Sequence, residues 1–238
     1  MLDTVPSIVD RIYAVDDCST DKTLLIMSTV ARRSNRVIVV HRERRGGVGA
    51  AIVTGHKRAL EDAVDVVAVM AGDGQMDPAF LDSILDPVVE GKADYAKGNR
   101  FSNPANSRGT PGFRRFGSHV LDYMSKIASG YWHISDPQQG YTAVSRELLE
   151  NLDLDRLYKG FAFENDMLVE LNVLGARVVD VPVAPIYADQ SSKIRYPSFI
   201  ASTSWVLFRA FVRRLLIKYV KKTIKRGSKK SATKGKGL

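Results

Sequence analysis

Short apolar runs alternate with amphipathic segments along most of this 238-residue chain. Residues 66–70 are all apolar, and such a run is too short for a free-standing helix but suits a strand buried on both faces. Runs that end at Val15 and Val40 predict two further strands, and residues 93–98 and 178–183 predict two more.

Helical segments lie between these strands. The predicted helices cover residues 22–33, 78–90 and 114–129, and one more ends near Ala63. Residues 160–166 open a further amphipathic helix that runs to about Leu174, with Gly175 at its C-cap position. Strands that alternate with helices are typical of an α/β domain.

An acidic loop of small residues, 71–77, follows the predicted strand at once; we call it the second acidic loop. Ligands of open α/β sheets bind beyond the carboxyl ends of the strands, so Asp73, Gln75 and Asp77 are expected where a cation or a phosphate is bound. The neighbouring glycines leave the backbone open to close approach. For Asp77, a structural role as the N-cap of the next helix is an equally good explanation.

The first acidic loop, residues 16–21, follows the strand that ends at Val15. Asp16 and Asp17 are adjacent carboxylates, which repel each other and are seldom found together without a donor or a cation that satisfies them. Both are therefore candidate ligand-binding residues. Asp21 is explained by capping of the next helix.

Gly47, Val48 and Gly49 follow a strand and precede a helix, as in part of a dinucleotide-binding fingerprint. The third glycine of that fingerprint is missing, and no strand that ends in an acid follows at the expected distance. We instead expect the small residues to let this helix pack tightly on the sheet, while its backbone amides and nearby arginines face an anion.

Residues 102–113 are rich in turn-forming residues and predict a lid or a disordered excursion. Arg114 follows, and a lid beside arginines suggests closure over a negatively charged ligand, although surface arginines without a specific role are common. Glu164 and Asp166 stand in the first turn of a predicted helix, where the helix dipole alone favours acids.

The net charge of +9 comes from the C-terminal end of the chain. Residues 209–238 hold 12 of the 35 Lys and Arg and no acid, which leaves 23 bases against 26 acids elsewhere. The remainder is typical of one globular domain, at 45% hydrophobic and 26% charged residues overall. The single cysteine, Cys18, excludes an internal disulfide and indicates a reducing compartment. We expect neither a signal peptide at Met1 nor a membrane-spanning helix.

Basic residues recur at helical spacing within the largely apolar segment 199–224. With Trp205, Phe208 and Phe211 on its apolar face, this segment predicts an amphipathic helix that lies in a membrane interface. Residues 227–238 are expected to form a disordered polybasic end suited to anionic lipid. Nucleic acid and an acidic protein are the alternative partners, but the apolar face favours a membrane, so no nucleic-acid partner is predicted.

Six segments, in their order along the chain, resemble glycosyltransferase family 2, especially its branch of dolichyl-phosphate mannose synthases and related polyprenyl-phosphate sugar transferases. They read VDDCSTDKT from Val15, GGVGAA from Gly46, VMAGDGQMDP from Val69, KGNRF from Lys97, DPQQGYTAVS from Asp136 and GFAFENDMLVELNVLGARVVDVPV from Gly160. The resemblance implies a GT-A fold with a mostly parallel, Rossmann-like sheet over residues 1–198. The basic amphipathic helix and tail then occupy 199–238. It also implies a nucleotide-sugar donor, a divalent metal ion (Mg²⁺ or Mn²⁺) and an inverting transfer.

The resemblance assigns nucleotide-sugar binding to both acidic loops. The residues it implies are Asp16, Asp17, Ser19, Asp73 and Gln75. The family's D-x-D motif falls on residues 71–73, where Ala71 replaces the first acid, so Asp73 and Gln75 are expected to hold the metal ion with the help of waters. The family's first strand and its nucleotide-holding turn have no counterpart here, which predicts a domain without its first strand, through a misplaced start or a fragment.

The resemblance places the acceptor phosphate at Arg100, Arg114 and Ser118, and counts Asp73, Arg100, Arg114 and Asp136 as catalytic. A phosphate acceptor is largely ionised at neutral pH, with a pKa of about 6, so it needs cations and no base. If the acceptor is a hydroxyl, the base is Asp136, Glu164 or Asp166.

The resulting prediction is a peripheral enzyme at the cytoplasmic face of the cell membrane that transfers a hexose from a nucleotide sugar to polyprenyl (dolichyl) phosphate. Transfer to a glycan or protein hydroxyl, and a non-catalytic GT-A binding module, are the alternatives.

Overall fold

The computed structural model describes residues 2–102, 112–184, 186 and 196–234, and within them strands and helices alternate as the sequence predicts. The strands are β1 (Ile12–Asp16), β2 (Val37–His41), β3 (Val66–Val69), β4 (Tyr95–Asn99), β5 (Thr142–Ser145) and β6 (Val178–Pro182). The helices are α1 (Thr23–Ala31), α2 (Val48–Glu61), α3 (Leu81–Val89), α4 (Gly112–Ser129), α5 (Arg146–Asn151), α6 (Phe163–Leu174) and α7 (Tyr196–Lys234). The predicted α/β class is confirmed.

The described strands form two sheets. β1 and β2 pair in parallel, with Ile12 opposite Val37. The second sheet has the order β3-β5-β4-β6, in which β5 is antiparallel to both neighbours and β4 is parallel to β6. This sheet is mixed, whereas the sequence predicts a mostly parallel one. β5 runs in the opposite direction because the chain enters it beside the carboxyl end of β4, where Gly98 N donates to Tyr141 O over 2.8 Å.

The centre of the core lies at β4, whose five residues are all buried. β3 is only half-buried at each of its four positions, although the sequence predicts burial on both faces. In the described structure β3 pairs along one edge only, at the margin of the second sheet, so its side chains keep some contact with solvent.

Side chains of β4 alternate between two hydrophobic clusters. Tyr95 belongs to the cluster that contains Phe163 and Leu171 of α6, whereas Ala96 belongs to the cluster that contains Leu81 and Ile84 of α3. Because successive side chains of a strand point to opposite faces, the second sheet lies between α6 and α3. Packing on both faces therefore fixes the end of β4, where the polar loops begin.

The structure contains the capping residues that the sequence predicts at the ends of three helical segments. Asp77 Oδ1 accepts a hydrogen bond from Ala79 N at 2.9 Å, at the start of a 3₁₀ turn that leads into α3. Asp21 Oδ1 accepts one from Thr23 N, also at 2.9 Å, just before α1. Gly175 ends α6 at a φ of +78°, a left-handed conformation that glycine adopts without strain. These structural roles account for Asp21 and Asp77.

Helix α7 packs one face on α4 and α6. Leu207 and Ala210 form a hydrophobic cluster with Ala128 of α4 and Val169 of α6. The helix continues to Lys234, into the segment for which the sequence predicts disorder. Of the helices that the structure describes, none combines the length and the apolar character needed to cross a membrane.

Candidate functional site

The turn between α4 and β5 brings predicted site residues together. A methyl group placed on Gly140 would lie 3.5 Å from Met76 Cε, in the second acidic loop, and 3.9 Å from Glu164 Oε1, at the start of α6. Arg100, just after β4, reaches the same turn through Asp136. The ends of β3 and β4, this turn and the start of α6 therefore surround one site.

Asp16 is almost completely buried, with 2% of its surface exposed, and shapes the first acidic loop. Its carboxylate accepts hydrogen bonds from Ser19 N at 3.3 Å and from His41 Nδ1 at 2.8 Å. The hydrogen bond from Ser19 lowers the pKa of Asp16, and His41 adds to this effect, while burial opposes it. The carboxylate is thus ionised at neutral pH and holds the loop in a turn whose middle residue, Cys18, has a φ of +58°.

Asp17 fixes the glycine segment that opens α2. Its two carboxylate oxygens accept hydrogen bonds from Gly46 N at 2.9 Å and Gly47 N at 2.7 Å, and Arg42 Nε donates to it at 2.9 Å. The sequence analysis expected a donor or a cation to offset the repulsion between the carboxylates of Asp16 and Asp17. Donors of the protein itself fulfil this role at Asp17. A polar cavity of about 340 Å³ lies against this loop, between Asp17 and Arg45. Nucleotide binding by Asp16, Asp17 and Ser19 stays a prediction.

The small residues at the start of α2 allow close backbone contact, but with a different neighbour from the one predicted. A methyl group on Gly49 would lie 2.6 Å from Tyr158 O, and one on Gly47 would lie 2.9 Å from Lys159 O. Ala50 N also donates to Lys159 O at 3.2 Å. This helix start packs on the segment before α6, and the amides of Gly46 and Gly47 bind Asp17.

Asp73 and Gln75 lie exposed on the second acidic loop. Asp73 Oδ1 accepts a hydrogen bond from Gln75 N at 3.0 Å, and Gln75 O accepts one from Ile186 N at 3.1 Å. Within the part of the chain that the structure describes, no group of three acidic, histidine or cysteine side chains is placed to hold a metal ion. One carboxylate and one amide oxygen suit a hard cation whose other ligands are phosphate oxygens and water.

Arg100 forms a two-point ion pair with Asp136. Arg100 Nε donates to Oδ2 at 2.7 Å and Nη2 donates to Oδ1 at 3.0 Å. The side chain of Asp136 is 2% exposed, whereas that of Arg100 is 35% exposed. The paired fork geometry fixes the plane of the guanidinium, so the structure presents an oriented cation at the end of β4.

Asp180 of β6 holds both partners of this ion pair in place, and the sequence analysis did not identify it. Asp180 Oδ2 accepts hydrogen bonds from Asn99 Nδ2 at 3.0 Å and from Ser135 N at 2.8 Å. Asn99 and Ser135 directly precede Arg100 and Asp136. Burial raises the pKa of Asp180, and the hydrogen bonds from Ser135 oppose this.

Lys97 and Glu164 form a buried ion pair beneath the site. Lys97 Nζ donates to Glu164 Oε2 at 2.9 Å and also to the carbonyl of Gln139, and Tyr95 Oη donates to the same glutamate oxygen at 3.2 Å. Burial, followed by the charge of Glu164, raises the pKa of Tyr95, so the phenol stays neutral. A lysine in a predicted buried strand is rarely found without a carboxylate partner, and this signal was available in the sequence.

Asp166 has internal partners on both oxygens. Oδ1 accepts a hydrogen bond from Arg213 Nη2 of α7 at 3.1 Å, and Oδ2 accepts one from Tyr158 N at 2.9 Å. Glu170, one turn further along α6, pairs with the same arginine. This geometry gives Asp166 a structural role at the junction of α6 and α7.

Arg114 and Ser118 lie on α4, and their side chains are outside the described residues. Residues 103–111 of the predicted lid are also outside them. The assignment of the acceptor phosphate to Arg114 and Ser118 therefore stays a prediction.

Known proteins share this sequence pattern. The model of the family described as Glycosyl transferase family 2 matches residues 2–153. The UDP-N-acetylglucosamine–dolichyl-phosphate N-acetylglucosaminyltransferase of Methanococcus voltae is 27% identical over 221 residues, which cover 88% of this chain and 85% of that protein. The polyprenol monophosphomannose synthase of Mycolicibacterium smegmatis is 33% identical over 192 residues, which cover 76% of this chain and 72% of that protein.

Solved structures share the fold. Glucosyl-3-phosphoglycerate synthase from Mycobacterium tuberculosis in complex with UDP matches with a TM-score of 0.63 and 19% identity, over 90% of this chain and 73% of that one. The same protein in complex with Mn²⁺ and UDP-glucose matches with a TM-score of 0.62 and 20% identity, over 90% and 72% of the two chains. The predicted GT-A fold is thereby confirmed.

Proposed function

The chain belongs to glycosyl transferase family 2, and we propose that it transfers a hexose from a nucleotide sugar to a polyprenyl (dolichyl) phosphate. The observation that favours this acceptor is the ion pairing of the three carboxylates that are predicted as bases for a hydroxyl acceptor. Each is paired with a cation: Asp136 with Arg100, Glu164 with Lys97, and Asp166 with Arg213. Their oxygens thus already accept hydrogen bonds from protein donors, so fewer lone pairs are open to take the proton of a hydroxyl acceptor.

A phosphate acceptor suits such a site. Its attacking oxygen is already ionised at neutral pH, since the second pKa of a phosphate monoester is about 6. A hydroxyl acceptor has to lose a proton as it attacks and depends on a base. The names of the two relatives described above support a polyprenyl phosphate acceptor. One name contains dolichyl phosphate, and the other names a polyprenol monophosphomannose product.

We assign the two ends of the reaction to different residues. The first acidic loop, with Asp16, Asp17 and Ser19, binds the nucleotide, and the oriented guanidinium of Arg100 binds the acceptor phosphate. An oxygen of that phosphate attacks the anomeric carbon of the sugar from the side opposite the donor diphosphate. The bond from this carbon to the diphosphate oxygen breaks, the configuration inverts, and a nucleoside diphosphate leaves.

Asp73 and Gln75 are the residues that would hold a divalent metal ion, Mg²⁺ or Mn²⁺. If bound there, such an ion would supply positive charge against the negative charge of the leaving diphosphate. Ala71 leaves Asp73 as the one acid of the D-x-D position, so donor phosphates and waters would have to provide the other ligands.

We place the enzyme on the cytoplasmic face of an anionic membrane, bound peripherally through α7. The face of α7 that points away from α4 and α6 exposes aromatic and aliphatic side chains. These are Trp205, Phe208, Leu215, Leu216 and Tyr219, at 48–72% exposure. The same helix is rich in basic residues and contains no acid, so its composition suits the surface where a polyprenyl phosphate is found.

The test is transfer of radiolabelled sugar into lipid that is extracted with organic solvent. The full chain is incubated with polyprenyl phosphate and each of several nucleotide sugars, with Mn²⁺ or with a chelator. Incorporation from one donor that stops on chelation supports the proposal. No incorporation from any donor in the presence of metal would refute it.

A further inference from the structure

We propose that Arg213 of α7 is a positioning residue for the first acidic loop, so that the seating of the C-terminal helix controls how that loop is held. Arg213 lies well away in sequence from both acidic loops, and its side chain is only 12% exposed. A continuous series of contacts leads from it to Asp17.

The first step joins α7 to α6. Arg213 bridges Asp166 and Glu170, whose side chains are 1% and 13% exposed. Burial raises the pKa of Glu170, and the charge of Arg213 opposes this, so the guanidinium favours the ionised form of Glu170. Without Arg213 these two acids would lose the cation that both of them contact.

The second step leaves α6 through the other oxygen of Asp166. This oxygen accepts the hydrogen bond from Tyr158 N at 2.9 Å, which fixes the backbone just before α6. The next carbonyl, Lys159 O, accepts a hydrogen bond from Ala50 N at 3.2 Å. Gly49 brings the start of α2 so close to Tyr158 O that a side chain there would clash at 2.6 Å.

The third step reaches the first acidic loop. The start of α2 carries the amides of Gly46 and Gly47, which donate to Asp17 at 2.9 and 2.7 Å. A shift of the backbone at Tyr158 and Lys159 moves these donors and with them the carboxylate that they hold. Packed backbone and hydrogen bonds of this kind transmit a displacement, because neither end is free to relax alone.

Hydrogen exchange of backbone amides, read by mass spectrometry on the full chain, tests this link without any ligand. In Arg213→Gln, peptides that cover residues 44–50 should exchange about tenfold faster than in the wild type, because the amides of the glycines lose a fixed acceptor. Arg209→Gln removes the same charge from an exposed position of α7 and should leave this exchange unchanged.

A second control separates this route from general loosening of α7. The guanidinium of Arg214 donates to Ile127 O of α4 at 3.0 Å, and within the described part of the chain it makes no hydrogen bond to Asp166, Glu170 or the segment before α6. Arg214→Gln should therefore leave residues 44–50 within about twofold of the wild type. The proposal would be overturned if exchange in residues 44–50 became faster to the same extent in both variants. It would also be overturned if Arg213→Gln left this exchange unchanged.

If Arg213→Gln does not fold, Asp166→Asn tests the same link by hydrogen exchange. Asparagine keeps an oxygen for Tyr158 N but removes the charge that orients Arg213. The same peptides should exchange faster in this variant, and wild-type exchange would contradict the link.

Nucleotide affinity gives a second readout, which alone rests on the proposed function. With Mn²⁺ present, UDP or GDP should bind about tenfold more weakly to Arg213→Gln than to the wild type. Adding Arg213→Gln to Asp17→Asn should weaken binding by much less than tenfold, because both changes act on the same loop. A wild type that binds neither nucleotide counts against the proposed function, while the exchange experiment still decides the role of Arg213.

Discussion

At the scale of single residues, the acids discussed for the site differ in exposure, since some are buried or half-buried and Asp73 is exposed. Asp16, Asp17 and Asp166 accept hydrogen bonds from protein donors on their carboxylates and shape the backbone around the site. Asp73 lies on the exposed second acidic loop, beside Gln75. The proposed chemistry at the donor diphosphate therefore depends chiefly on Asp73.

Asp73→Asn should reduce metal-dependent transfer on the order of a hundredfold or more, because the neutral side chain binds a divalent cation poorly and the leaving diphosphate loses its counter-charge. The measurement is the rate of sugar transfer at saturating Mn²⁺. Asp77→Asn is the matched control, because it removes a charge from the same loop while asparagine still caps the following turn, so transfer should stay close to the wild-type rate. An Asp73→Asn variant as active as the wild type would show that the metal site lies elsewhere.

Sequence reasoning found the residues at strand ends but not the residues that hold them. Asp73 stands out because it follows a predicted strand, whereas the roles of Arg100 and Asp136 came from the resemblance to the family. Asp180 and Lys97 stand inside strands. A lysine in a buried strand indicates that a carboxylate partner exists, but the identity of the partners of both residues depends on tertiary packing, which no local pattern reveals. The pairing of β4 with β6 brings Asp180 beside Asn99, and the packing of α6 brings Glu164 beside Lys97.

At the scale of elements, helices and strands were largely predictable because each carries its own period and its own end signals. Sheet order was not, since β5 takes its antiparallel course from a turn whose contacts are tertiary. The buried side of α7 was missed for a related reason. In the sequence, its apolar residues are equally consistent with a face that enters a membrane and with a face that packs in the core. In the structure, Leu207 and Ala210 belong to a buried hydrophobic cluster.

Helix α2 carries a buried histidine that should make stability depend on pH. Neither ring nitrogen of His56 has a hydrogen-bond partner among the described residues, and burial lowers its pKa to about 4. In the unfolded chain the pKa is about 6.5, so between these values the unfolded state binds more protons and stability falls as the pH falls.

This dependence should amount to about 3 kcal/mol between pH 6.5 and pH 4. Urea unfolding of the wild type and of His56→Leu across this range is the measurement. Leucine cannot bind a proton, so the variant should show a flatter stability curve by about that amount. Parallel curves for the two proteins would mean that His56 is accessible to protons in the folded state.

At the scale of the whole molecule, α7 connects the globular body with the proposed membrane surface. One face packs on α4 and α6, and the opposite face exposes Leu215 and Leu216 among aromatic and basic residues. This two-sided helix would attach the globular body to the lipid surface.

Replacing Leu215 and Leu216 together by alanine should weaken binding to anionic vesicles by about tenfold or more, because exposed leucines contribute apolar area to an interface. The control is the double change Leu25→Ala and Ile26→Ala, which removes similarly exposed side chains from α1. Vesicle flotation at low and high salt is the measurement, and salt should weaken binding of the wild type. Equal loss in both double variants would point to non-specific adhesion.

If the acceptor is a lipid phosphate, the enzyme should distinguish two acceptors that carry the same isoprenoid chain. The full chain is given one labelled nucleotide sugar, Mn²⁺, and either polyprenyl phosphate or the matching polyprenol. We expect sugar on the phosphate lipid, one nucleoside diphosphate released for each sugar transferred, and no product on the polyprenol. Transfer to the polyprenol at a comparable rate would contradict the account, because a hydroxyl acceptor requires a base that the ion-paired carboxylates do not provide.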